Sequence, residues 1–305
     1  MNGFNFFREN PMTKFVREQQ AWKRQLIGLA RSPFKEVFEE HRKMRENSFK
    51  PFFEVNKVAE ALRRWSEGIE DTKEDMITFK KAMVDLGYPP NDWIDIRKLR
   101  QIAQDYSENG KEHVAEYIDE FMVKFYDEKM LETIRANWNE KSYLKNRLPL
   151  LRNAIMAHKL GMYDLVVPAV LSQLEGLIID SFEIKGFVNE DIQLILLEHL
   201  LLKNKEITHS FDYDDAIYEY YSTNILVSFK HGSFIKSDVS RHAILHGGYT
   251  NFGKETSSLK VLLLIDYLID AIEDLREKTI KLAKEEVRIY RKLRYQRQNR
   301  RKRNR

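Results

Sequence analysis

Apolar residues recur at helical spacing along most of this chain. Over roughly 13–138 they return at i, i+3 and i+4, as in Val55, Val58, Ala59, Leu62 and Trp65, and again in Val114, Tyr117, Ile118, Phe121 and Phe125. That is the period of a helix with one buried face. Turn-forming residues interrupt it at Ser32-Pro33, Lys50-Pro51, Tyr88-Pro89-Pro90-Asn91-Asp92 and Asn109-Gly110. Past residue 140 the segments become shorter and more apolar. Pro149 is expected to open a helix that Gly161 ends, because proline suits the first helical position and glycine the turn after the last. A second helix is expected over 163–182, with Pro168 starting or kinking it. A third, over 187–202, carries Leu and Ile on more than one face. The segment 212–229 reads as helix, with 225–229 alternatively extended. A last strong helix begins near Thr256 or Ser257 as N-cap, passes Leu275, and turns charged and then basic beyond Lys281.

These segments predict an all-α protein. A helical N-terminal region of unknown role covers 1–139, a four- to five-helix bundle covers 140–284, and 285–305 is a basic helix end or disordered tail. Only 12 Gly and 7 Pro occur in 305 residues, too few for a sandwich built on tight turns. The absence of cysteine removes disulfides and thiolate metal sites and fits a reducing cytoplasm, the expected location. The first twenty residues lack the apolar centre of a signal peptide. The longest apolar runs, 165–171 and 261–265, fall far short of the about 20 residues that span a bilayer.

Charge changes this picture in one place. The whole chain is +4, yet 288–305 alone holds ten Lys or Arg and no acid, which leaves the first 287 residues at −6. Arg291, Lys292, Arg294, Arg297, Arg300, Arg301, Lys302 and Arg303 are therefore the expected nucleic-acid contacts through phosphate. Tyr290 and Tyr295 are placed to stack on bases.

Candidate chemistry concentrates in Ser240-Arg241-His242-Ala243-Ile244-Leu245-His246-Gly247-Gly248-Tyr249. Arginine is a fixed cation and histidine titrates near neutrality, a pairing suited to phosphodiester cleavage. RNA brings its own 2′-hydroxyl nucleophile, so this chemistry calls for no metal and no cofactor. Arg241 and His246 stand about 140° apart around a regular helix, whereas His242 and His246 share a face. Arg241 reaches a phosphate beside His246 only if the helix frays, bends or meets a second copy. The glycine pair permits a left-handed helix end.

The block Arg241-His242-Ala243-Ile244-Leu245-His246 resembles the Arg-x4–6-His motif of the HEPN superfamily. Its continuation RHAILHGGYTNFGKETSSLKVLLLIDYL resembles bacterial members with an Arg-His-x-Ile-Leu-His-Gly core. The resemblance covers about 140–280. It implies a small helical bundle and a metal-independent endoribonuclease of prokaryotic defence or stress response, of the abortive-infection or toxin type. It also implies a homodimer and, in toxin systems, a regulatory partner protein. Carried over, Arg241 binds and polarises phosphate, His246 moves the proton, and His242 orients the motif. Tyr249 lies three residues after the histidine rather than two, and Glu175, in the helix resembling the one that precedes the motif, faces the site.

The same arginine-to-histidine spacing recurs at Arg152 and His158, where an amphipathic helix with Leu148, Leu151 and Ile155 explains it equally well. His242 and His246 also have the spacing of paired metal ligands, but no His-Glu-x-x-His or cysteine accompanies them. Asp212, Asp214, Asp215 and Glu219 read as a solvated loop and helix start. The alternative to the enzyme is a non-catalytic helical module that binds RNA or a protein through the same surface.

Overall fold

The computed structural model describes residues 71–205 and 212–303. The chain divides into two compact units, Met1–Thr72 and Lys73–Arg305. The expectations for 1–70, including the helix through Val55 and Trp65, lie outside the described residues.

All regular structure among the described residues is helical. Helix α1 is described over residues 71–85. It is followed by α2 (Ile96–Ala115), α3 (Ile118–Phe125), α4 (Glu128–Glu140) and a short 3₁₀ turn, Ser142–Leu144. Then come α5 (Leu148–Lys159), α6 (Tyr163–Ser181), α7 (Glu190–Leu201), α8 (Asp214–Tyr220) with a π-turn over Tyr221–Ile225, α9 (Arg241–Leu245), α10 (Glu255–Glu273) and α11 (Glu277–Arg303). None of the described helices is long and apolar enough to cross a membrane.

Helix α10 is the centre. Its residues from Ser257 to Asp266 are all buried, so it is covered on every face, by α6 above all and by α3, α4, α5 and α7. Two distant tryptophans lock it in place. Trp93 and Trp138 each donate an indole N–H to one oxygen of Asp266, both at 2.7 Å. The core runs without a gap from Met76 to Val287, so the helices before residue 140 share it with those after.

Local signals explain most of the boundaries. Asp95, Asp127 and Asn189 cap α2, α4 and α7 with their side chains. Pro149 lies in the first turn of α5, and Gly161 (φ +75°) follows its end. Helix α6 begins at Tyr163 and runs through Pro168. Gly110 (φ 84°) kinks α2 where a turn was expected.

Three expectations need correction. The start of α10 is at Glu255, not at a Thr256 or Ser257 cap, because both following serines are committed inward. Ser257 donates to Asp238 at 2.8 Å and Ser258 meets His158 Nδ1 at 2.7 Å. The last helix is not continuous: Asn204 accepts from the Arg276 amide at 3.1 Å and donates to the Asp274 carbonyl at 3.0 Å, closing α10 before α11 starts. Asp214 is buried rather than solvated, bonded by Lys205 and by the Tyr267 hydroxyl at 2.8 Å.

Candidate functional site

Helix α9 holds the motif from Arg241 to Leu245, with His246 as its C-cap. Ser240 caps it: its hydroxyl accepts from the Ala243 amide at 3.4 Å and donates to the Val227 carbonyl at 3.2 Å, tying the motif to the preceding loop. At the other end the amides of Gly248 and Tyr249 both donate to the Ala243 carbonyl, at 2.7 and 3.0 Å, with Gly247 at φ +70°. A left-handed residue folding later amides back over the last turn is how a short helix satisfies its carbonyls. Gly248 serves a different purpose. A Cβ there would stand 2.1 Å from Phe229 Cε2, so the ring lies directly on the glycine backbone.

The two histidines form a stack. His242 and His246 are nearly parallel, 2° between planes and 6.1 Å between centroids, and Phe229 continues the stack at 6.5 Å and 17° from His246. His231 meets the edge of Phe229 at 5.0 Å. His246 and His231 are exposed, whereas His242 is half-buried. Burial first, and then the charge of Arg241, hold the His242 imidazole below its ordinary pKa, with Glu190 pulling the other way. Its Nε2 has no hydrogen bond, and the Glu190 carboxylate stands 3.8 Å off.

Arg241 points inward. It donates to one oxygen of Glu175 on α6, whose other oxygen accepts from Gln193 Nε2 at 2.7 Å. The buried Tyr221 ring closes the cluster from the π-turn. Desolvation raises its phenol, the Arg241 charge opposes that, and Glu175 adds to it. Four buried polar atoms of this group make no hydrogen bond: Gln193 Oε1, Tyr221 OH, Arg241 Nε and His242 Nε2. Buried polar atoms normally find partners, so a concentration of unpaired ones marks a place made for something besides packing.

The structure thus brings Glu175 to Arg241 and His242 to His246. Among the described residues no hydrogen bond or ring contact joins Arg241 to His246. Tyr249 turns toward Phe252, 6.5 Å between centroids, and the charge acting on its phenol is Asp238. Gln193, Tyr221 and Phe229 were not singled out by the sequence. A lone glutamine inside the apolar run 192–197 was the available signal for the first. The other two needed the π-turn and the glycine contact.

The second copy of the spacing does not form a site. Arg152 is exposed and donates to Asn139 at 2.8 Å. His158 is buried against Ser258 and Tyr163, and burial pulls its pKa down to about 4. Of the basic tail, Arg291 donates to the Phe187 carbonyl at 2.8 Å and Arg294 lies over the Phe187 ring at 5.3 Å. Lys292 and Arg297 are exposed. The side chains of Arg300, Arg301, Lys302 and Arg303 lie outside the described residues, though the helix continues through them. Among the described residues no three His, Asp or Glu side chains are grouped as a metal site would need.

No protein-family model, no curated protein and no solved structure matches this chain.

Proposed function

We propose that the protein is a metal-independent endoribonuclease of HEPN type, acting as a homodimer in prokaryotic defence or stress response. The observation that carries this reading is the parallel His242–His246 stack set beside two unpaired donors, Arg241 Nε and Tyr221 OH, and the unbonded His242 Nε2. Phosphate oxygens are the acceptors that such a set of donors suits. His246, on the exposed end, is the group with access to a substrate proton.

In the proposed reaction the 2′-oxygen attacks the adjacent phosphorus as His246 takes its proton. The new bond is O2′–P and the bond broken is P–O5′. The 5′-oxygen leaves with a proton from water, and His246 returns its own proton to the hydroxide left behind. Arg241 offsets the charge that gathers on the phosphate, and His242 orients His246. The products are a 2′,3′-cyclic phosphate and a free 5′-hydroxyl.

One observation favours the runner-up, a helical module that binds RNA or a protein without cutting it: the Arg241 charge is already engaged by Glu175. Incubation with labelled RNA in excess chelator separates the two. Cleavage that persists with chelator and falls at least a hundredfold in His246→Ala and Arg241→Ala supports the enzyme. Cleavage equal in both variants and in the parent removes these residues from the chemistry.

A further inference from the structure

Phe187 lies in the connection from α6 to α7 and is 69% exposed, although its neighbour Val188 packs on the core. Three contacts with α11 fix the connection. Lys284 pairs with Glu183 at 2.5 Å, Arg291 donates to the Phe187 carbonyl at 2.8 Å, and the Arg294 guanidinium lies over the ring at 5.3 Å. The ring is therefore held in place with one face on a cation and the rest in solvent. Of the nearby carboxylates, Glu183 is held by Lys284 and Asp191 by Tyr290 and Asn189, while Glu190 faces His242 at 3.8 Å. On the adjoining stretch of α11, Lys292, Tyr295 and Arg297 are exposed, and among the described residues Lys292 and Arg297 enter no ion pair.

The same connection leads to the histidines. Glu190, three residues after Phe187, stands 3.8 Å from His242. Three residues reach at most about 10 Å along the chain. The exposed ring is thus joined to the histidine stack by a short stretch of chain, with Arg291 and Arg294 of α11 beside the ring.

We infer that Phe187 is a stacking platform for an unpaired base of single-stranded RNA, with the α11 cations on the phosphates and the strand continuing to His242 and His246. This rests on the RNA reading of that site. A base can lie on the open side of a ring whose other side carries a guanidinium, whereas the bases of a duplex are stacked on each other and closed to it. The polyanion is drawn here because basic charge is concentrated on α11 while the first 287 residues are at −6.

The test is fluorescence anisotropy of a labelled oligouridylate with the full chain carrying His246→Ala, so that cutting does not enter the readout. Adding Phe187→Ala weakens binding roughly ten- to a hundredfold, and Phe187→Trp restores it. The salt dependence stays the same for both, while Arg297→Gln lowers its slope by about 0.7. Duplex RNA is indifferent to residue 187. An unchanged affinity in Phe187→Ala with matched circular dichroism, an equal loss on duplex RNA, or no binding by the His246→Ala parent overturns the inference. If the parent binds and Phe187→Ala does not, while the native chain never cuts RNA, the platform stands and the nuclease reading falls.

Discussion

Arg241 and Glu175 form an ion pair across α9 and α6, their side chains 18% and 20% exposed. Gln193 secures the second carboxylate oxygen at 2.7 Å. A pair this far from water stabilises little against a well-packed apolar alternative, but removal of one partner leaves the other charge uncompensated. Arg241→Ala and Glu175→Ala are each expected to cost about 2–4 kcal/mol, less than for a fully buried pair. The double variant should cost less than their sum, with a coupling above about 1 kcal/mol in urea titrations. Additive losses would mean that the two side chains do not meet. If Glu175 positions the arginine for phosphate, Glu175→Ala also lowers cleavage at least about tenfold.

Gly248 is a steric requirement and Gly247 a conformational one. Gly248→Ala drives a Cβ into the Phe229 ring, which must leave the stack that carries His246. The expected cost is about 1–3 kcal/mol, as for other overpacked contacts, together with a change in the His246 ring resonances by NMR. Gly247→Ala meets nothing within 4 Å but must hold φ +70°. It should cost about 1 kcal/mol with the histidine resonances in place. A matching resonance change in both variants would show that the Phe229 contact does not order the histidines.

How much of this was legible follows from contact distance along the chain. Pro149, Gly161 and Asn189 act on their own helix, so α5 and α7 could be read closely from local pattern. The motif's turn was equally local. Glu175 was reached by resemblance alone, since 66 residues separate it from Arg241. Nothing in the sequence couples Trp93 to Asp266 across 173 residues, or Gln193 to the motif arginine. The false cap at Ser257 has the same origin: its hydroxyl satisfies Asp238, nineteen residues earlier, instead of the amides of its own helix. Local signals name what a polar side chain is able to do, and packing decides which partner it meets.

Asp266 offers a test of that packing. Both oxygens accept indole N–H groups, and burial first, then the Asp270 charge, push its pKa up, against the pull of those donors. Asp266→Asn keeps the shape but turns an N–H₂ toward one indole. The loss of a satisfied buried acceptor is expected to cost about 1–3 kcal/mol. Tryptophan emission should shift, since Trp93 and Trp138 both report on the contact. Unchanged emission and stability would place the indoles elsewhere.

His158 makes a contribution to the pH dependence whose sign its burial fixes. Its pKa is pulled from 6.5 to about 4 by burial, so the folded state holds this imidazole neutral while the unfolded chain binds a proton below about pH 6.5. The group makes no difference above that pH. As pH falls from 6.5 toward 4, protonation favours the unfolded chain, and the native state loses on the order of 3 kcal/mol. His242, also lowered, though by a smaller burial and the Arg241 charge, acts in the same direction. Asp266, pushed up to about 7, binds its proton in the folded state and acts in the opposite direction. The share of His158 is therefore read as the difference between urea midpoints of the native sequence and His158→Asn at pH 7 and pH 5. His158→Asn, which keeps a polar group for Ser258, should be less stable at pH 7, and the gap to the native sequence should narrow at pH 5. An identical change from pH 7 to pH 5 in the native sequence and in His158→Asn would show that this histidine is not held neutral by the core.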